Sequence, residues 1–166
     1  LMRCELNQNG SYQTIQELNA KWDKPILTYS IKSSTNDFDK LRLALNLAMT
    51  SWDIEIPIKL KYVKDKSDIT LEFSTTDQYF TSQPGVLAYA YFPDSGALTG
   101  KIVFNDNYLW SIDGKPITAQ EYMKRTGRQV SNQSNMFSTF NILHTLTHEI
   151  GHSLGLVHSG YKDDVM

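Results

Sequence analysis

Apolar and polar positions along the chain change period several times, and each change marks an element. PILTYSI (25–31) is a run of β-branched and aromatic residues and predicts a first strand. A helical period follows over about 38–52, where Phe38, Leu41, Leu45, Ala48, Met49 and Trp52 recur three or four apart. Thr35, Asn36 or Asp37 can cap its start. In IPIKLKYV (56–63), Ile58, Leu60 and Tyr62 alternate with Lys59 and Lys61, a strand with one wet face, and DITLEF (68–73) alternates through Ile69, Leu71 and Phe73. VLAYAYF (86–92) and KIVFND (101–106) each follow a turn-rich piece and predict two more strands. A last helical stripe through Phe140, Leu143, Leu146, Ile150 and Leu154 predicts a helix of about 138–154 that ends near Gly155.

The intervening stretches are less patterned. Residues 1–20 are polar and read as a leader or propeptide-like segment, wrapped on a surface or partly mobile. Residues 111–137 are polar, hold Gly114, Pro116 and Gly127, and read as a surface insertion with a short helix near 118–125. The order β-α-β-β-β-β-α indicates an α+β domain over 21–166, a mixed sheet with two helices packed against it.

Composition narrows the classes without choosing one. A chain of 166 residues, 40% hydrophobic and 20% charged, fits one globular domain. A formal charge of −2 offers no basic field for nucleic acid. No apolar stretch approaches the roughly 18 residues that span a bilayer. The single cysteine, Cys4, cannot form an internal disulfide.

Chemistry concentrates in HTLTHEIGHSLGLVHSG (144–160), which holds all four histidines. Residues four apart on a helix lie one turn up the same face, so His148 and His152 can present two imidazoles to one zinc ion. Gly155 lets the chain end the helix with positive φ and turn back, bringing His158 as a third ligand. Three protein ligands leave one position open, the arrangement of a catalytic zinc. Glu149, beside the first ligand, can take a proton from zinc-activated water and deliver it to a leaving amine. With 4 His, 6 Glu and 9 Gly in the chain, the full H-E-x-x-H-x-x-G-x-x-H pattern arises by chance about four times in a million.

HEIGHSLGLVHS resembles the zinc signature of the metzincin metallopeptidases, and its details are most similar to the matrixin branch. Flanking segments resemble matrixin catalytic domains in the same order: KWDKPILTYSI (21–31), MTSWDIEIPIKLKYV (49–63), GVLAYAYFP (85–93), IVFNDNYLW (102–110) and NILHTLTHEIGH. The resemblance implies a five-stranded twisted sheet whose antiparallel edge strand borders the cleft. It also implies that a protein or peptide substrate adds as a further strand along Val86–Tyr91, bonding to the backbone of Leu87 and Ala88. Met166 matches the methionine turn that floors the zinc site in such enzymes. His144 and Thr145 fall where matrixins line a specificity pocket, which predicts a shallower or more polar pocket here. A secreted, monomeric endopeptidase made as a zymogen is the expectation. Matrixins continue past the methionine turn into a pocket-walling loop and a final helix, and no such helix is expected within this chain.

Departures from the family shape three further expectations. Tyr89 and Val103 stand where ligands of a second, structural zinc are expected, and Asp77 is left without histidine partners, so no structural zinc is predicted. Asn105 and Asn107 in place of acidic ligands weaken the case for calcium. Arg3-Cys4 is spaced from Lys21 much as the family's latency cysteine is from its first strand, but the usual glycine, proline and aspartate are missing. Cys4 stands between a cysteine switch on the zinc and an incidental cysteine. Beside the peptidase stand two alternatives: a zinc-binding relative that captures peptides without cutting them, and an interaction module in which zinc is a structural clip.

Overall fold

The computed structural model describes residues 2–5, 20–32, 38–159 and 165–166, with the backbone alone at 2–5 and 38–40. The caps considered at Thr35, Asn36 and Asp37, and most of the leader, lie outside the described residues. The elements in chain order begin with β1 (Met2–Glu5), β2 (Ile26–Lys32), α1 (Phe38–Glu55), β3 (Lys59–Tyr62), β4 (Ile69–Ser74), α2 (Gln78–Ser82) and β5 (Val86–Ala90). They continue with β6 (Lys101–Asn105), β7 (Trp110–Ser111), β8 (Ile117–Thr118), α3 (Ala119–Thr126), β9 (Met136–Phe137), β10 (Phe140–Asn141) and α4 (Ile142–Ser153).

Five strands form a mixed sheet in the order β5-β6-β4-β2-β3. β2 runs parallel to β3 and β4, and β4 parallel to β6, while β5 alone is antiparallel, placed at the edge through Ala88 opposite Phe104. This is the expected matrixin-like architecture. What the residue pattern did not show is that β1 adds outside β5 as a sixth strand, also antiparallel, with Cys4 opposite Ala88 and Met2 opposite Ala90. Four polar and weakly patterned residues carry no strand signal of their own; an open edge supplies one by offering unpaired backbone donors and acceptors.

Between sheet and helices lies one continuous core. Leu41, Ala44, Leu45, Ala48 and Met49 line the inner stripe of α1 and meet Leu27, Ile69, Leu71, Ile102 and Phe104 from the sheet and Ile142, Leu146 and Ile150 from α4. Each of the larger side chains here, leucine, isoleucine, methionine and phenylalanine, stabilises the fold by about 1.5–3 kcal/mol through burial. Small residues on β5, Ala88 and Ala90, are wholly buried and let the sheet approach α4 closely. Phe104 is held between Phe73 and Trp110, with ring centroids 5.2 and 5.1 Å away.

Polar pins fix the strand order. The Asp68 carboxylate accepts from the Thr28 amide and hydroxyl, both at 2.9 Å, and pairs with Lys24. Asp53 at the end of α1 accepts from the Leu60 amide at 3.0 Å, seating β3.

The 111–137 stretch is more structured than its polarity suggested. β8 and β9 pair as an antiparallel ladder around α3, whose start is capped by Thr118 and whose end is closed by Gly127. Tyr122 and Phe137 stack at 3.9 Å, and Arg125 donates to the Trp110 carbonyl at 2.6 Å. α3 is the short helix expected near 118–125, so among the described residues only α2 adds to the helices the sequence suggested. Its five residues give too few turns for a periodic stripe. The last helix begins at Ile142 rather than near 138, because Phe140 and Asn141 pair with Trp110 and Ser111 as strand.

Candidate functional site

α4 starts where Asn141 caps it, its side chain accepting from the His144 amide at 2.9 Å. It ends in a two-bond closure: the Gly155 amide donates to His152 O at 3.0 Å and the Leu156 amide to Gly151 O at 2.9 Å. That closure places Gly155 at φ +105°, and a side chain there would run into the Ala20 carbonyl. The turned chain then carries His158 back over the helix.

Three imidazoles converge. His148 Nε2 lies 3.0 Å from His152 Nε2 and 3.0 Å from His158 Nε2, and the last two are 3.1 Å apart. Ligands about 2.0–2.1 Å from one tetrahedral centre stand roughly 3.3 Å from each other, so the spacing suits a shared ion. Among the described residues this is the group of side chains able to hold a metal.

The hydrogen bonds on the far side of each ring set the tautomers. His148 Nδ1 lies 2.5 Å from the Val165 carbonyl and His152 Nδ1 lies 2.8 Å from the Leu156 carbonyl. A carbonyl oxygen only accepts, so both Nδ1 atoms carry hydrogen and both Nε2 atoms present lone pairs. Two buried acceptors at 3.0 Å repel, and a proton on His158 can serve one of them at a time. A cation among them removes the conflict, so the residues present fit a metal.

Burial keeps these rings neutral. It pushes His148 down to about 4 and His152 down to about 3, in each case against the opposing bond from Nδ1 to a carbonyl and with neighbouring imidazoles adding to the shift. His158, exposed where the other two are buried, is lowered too by partial desolvation of its ring. Neutral imidazole is the form that ligates. Phe92 packs its edge on His152, centroids 5.8 Å apart, and adds to that apolar surround.

Glu149 is wholly buried on the same turn as His148. Met166 lies beneath the helix at Gly151, where a Cβ would collide with its sulfur; only glycine lets the two approach. The Ser159 amide donates to Met166 O at 2.9 Å, tying the residue after His158 to the methionine beneath the helix.

Other predicted positions fall elsewhere. Leu87 and Ala88 are buried on β5, and β1 occupies the edge beside them. His144 is exposed on the first turn of α4 and is not brought to the other three histidines. Thr145 is buried, its hydroxyl bonded back to the Asn141 carbonyl at 3.0 Å. Cys4 has a described backbone only, so the thiol lies outside the described side chains. Sequence reasoning missed the carbonyls of Leu156 and Val165. Any residue supplies a carbonyl, so no residue type could have marked them.

On the outer face of β5 and β6, the positions considered for a second metal are occupied differently. The Tyr89 hydroxyl donates to Asp77 at 2.8 Å, and the other Asp77 oxygen accepts from the Tyr79 amide to cap α2. Tyr89 and Val103 form a small apolar cluster with Phe80 and Val86. Asn105 donates to the Val86 carbonyl at 3.2 Å and Asn107 to the Thr75 carbonyl at 3.1 Å.

A five-stranded mixed sheet with an antiparallel edge, with three histidines able to hold a metal gathered on and just after its last helix, defines a matrixin-like peptidase domain. The chain belongs to the matrixin family, whose model matches residues 21–166. It is 29% identical to matrix metalloproteinase-C of Caenorhabditis elegans over 174 residues, all of this chain and 27% of that protein. It is 29% identical to matrilysin of Homo sapiens over 171 residues and 32% identical to matrilysin of Felis catus over 172, each covering 99% of the chain, and 55% and 56% of the relative. The chain therefore spans about half or less of the curated relatives it matches. Family membership supports a metalloendopeptidase, and matrixins use zinc. Among the described residues, no helix is long and apolar enough to cross a membrane.

Proposed function

We propose that the chain is a zinc-dependent endopeptidase in which His148, His152 and His158 hold a single catalytic zinc and Glu149 is the general base and acid. The observation that carries this reading is the convergence of three ring nitrogens, two of them lone-pair donors by virtue of their bonds to Val165 O and Leu156 O. A purely structural site is served by four ligands and has no use for a buried carboxylate on the same turn. Zinc, when bound, supplies Lewis-acid chemistry to a water and to the scissile carbonyl. Glu149 accepts the proton of the attacking water as its oxygen bonds the carbonyl carbon, then returns it to the departing amine nitrogen as the C–N bond breaks. Gly151 and Met166 seat the floor, and no structural zinc is needed at Tyr89 and Val103.

Substrate binds as an extended strand on the edge of β5 that β1 covers, using the backbone of Leu87 and Ala88, with His144 and Thr145 beside the pocket after the scissile bond. The pairing of β1 on that edge supports this reading, since an extended segment of the chain already lies there. The same pairing favours a latent state of this chain: Cys4 sits opposite Ala88, and substrate must displace β1. Residues 1–20 act as the propeptide-like segment and 21–166 as a secreted, monomeric catalytic domain, with calcium dispensable.

A fluorogenic peptide assay with zinc quantification tests the reading. Chelator-sensitive cleavage that Glu149→Ala removes while zinc is retained is the expected result. Zinc bound without Glu149-dependent cleavage rejects the peptidase in favour of a non-cutting relative. Cys4→Ala is expected to raise the activity of the full chain and the accessibility of its zinc, and unchanged values remove the switch.

A further inference from the structure

The protein has three tryptophans, and each donates its indole N–H to a backbone carbonyl. Trp110 donates to Asn105 O at 3.1 Å, within the sheet side of the core. The other two reach α4 from distant parts of the chain. Trp52, on α1, donates to Thr147 O at 2.8 Å, and Trp22, just before β2, donates to Ser153 O at 2.8 Å.

The acceptors are placed around the metal-binding turn. Thr147 immediately precedes His148, and Ser153 immediately follows His152. The Trp52 ring also lies against Gly151, the residue before His152: a Cβ built there would stand 3.0 Å from Trp52 Cζ2. Contacts at 147, 151 and 153 thus bracket both helical histidines. Ser153 belongs to the last turn, whose carbonyls have no partner within the helix, so Trp22 satisfies a group that would otherwise be left to water. Ring nitrogens project well beyond the helix axis, so a small rotation of α4 moves them apart. Two rigid indoles, anchored in α1 and in the segment before β2, oppose that rotation.

We propose that Trp22 and Trp52 are positioning residues that clamp α4 so that His148 and His152 are pre-set for the metal. This rests on the zinc reading of the three histidines, and it extends the control of metal affinity to residues 131 and 95 positions distant from their acceptors.

The test is zinc affinity of metal-free protein, measured by competition with a chromophoric chelator, for wild type, Trp22→Phe, Trp52→Phe and Trp110→Phe. Each substitution keeps an aromatic ring and removes one indole-to-carbonyl bond, so Trp110→Phe controls for lost stability. Trp22→Phe and Trp52→Phe are expected to weaken zinc binding about 10-fold or more, the range seen when outer-shell partners of metal ligands are removed, while Trp110→Phe stays within about twofold. All three are expected to lower the melting temperature of the metal-free protein. If Trp22→Phe and Trp52→Phe lower that temperature but bind zinc as wild type does, the clamp is overturned and the tryptophans are packing alone. Weakening by Trp110→Phe equal to theirs overturns it as well. Should Trp52→Phe fail to fold, Trp22→Phe decides, since it lies outside α1. A wild-type chain that takes up no zinc overturns the metal reading and the clamp with it, a failure visible before any variant is compared.

Discussion

Two buried polar clusters lie on the domain, and they are balanced in opposite ways. On the outer face of β5 and β6, Tyr89 supplies a hydrogen and Asp77 accepts it, with α2 and a shell of aromatic rings closing over the pair. Donor and acceptor numbers match, so that cluster is complete within the chain. Around α4 the Nε2 atoms of His148 and His152 face one another and His158 as acceptors without enough hydrogens, and each ring's only certain donor is spent on a backbone carbonyl. That cluster is short of hydrogens within the described residues, and a cation would complete it. Buried polar groups must be satisfied somewhere, and the difference is whether the partner is another residue or an ion.

The largest effect that can break this contrast is catalytic. Glu149→Gln is expected to cut peptide hydrolysis by about 10²–10⁴-fold while leaving zinc content at one ion per chain, measured by metal analysis alongside kcat. Two ions per chain would show that the outer cluster is not self-sufficient. Next comes metal removal: stripping zinc is expected to lower stability by about 4 kcal/mol when free zinc had stood at 1,000 times Kd, read from denaturant melts with and without chelator. Tyr89→Phe should leave that difference intact.

Gly151→Ala forces a methyl group against the Met166 sulfur, and a loss of about 1–3 kcal/mol is expected from overpacking in the same melts. The smallest effect sharpens the outer cluster. Tyr89→Phe removes the bond to Asp77 and is expected to cost about 1 kcal/mol. Burial, then the bond to Asp77, raises the Tyr89 hydroxyl well above its ordinary 10.0. Above pH 10 the unfolded chain therefore ionises Tyr89 while the folded chain does not, and stability falls as pH rises. Tyr89→Phe should flatten that fall, and an unchanged slope between pH 9 and 11 would show that the hydroxyl is not held as described.

The main strands and both long helices were legible because their signals are local. Ile69, Leu71 and Phe73 alternate, and Leu41, Leu45, Ala48 and Met49 recur at helical spacing, whatever they later touch. The pairing of His148 and His152 as candidate metal ligands was legible for the same reason, since four residues on a helix fix the offset of two side chains. α2 and the β7–β10 pairing were not, because segments of two to five residues carry no period and form only where a neighbour meets them. His144 shows the converse: it is one helical turn from His148 by spacing, yet it sits exposed at the start of α4 while the chain's return brings His158 instead.

By itself, then, the sequence determined the periodic elements, the three-histidine spacing and the glycine that turns the chain, all set by geometry within a few residues. Tertiary structure alone decided that β1 takes the edge of β5, that the Val165 and Leu156 carbonyls select the tautomers of His148 and His152, and that Trp22 and Trp52 reach α4. Those decisions depend on backbone groups common to every residue, and on contacts between segments far apart in the chain, so no pattern of residue types announces them.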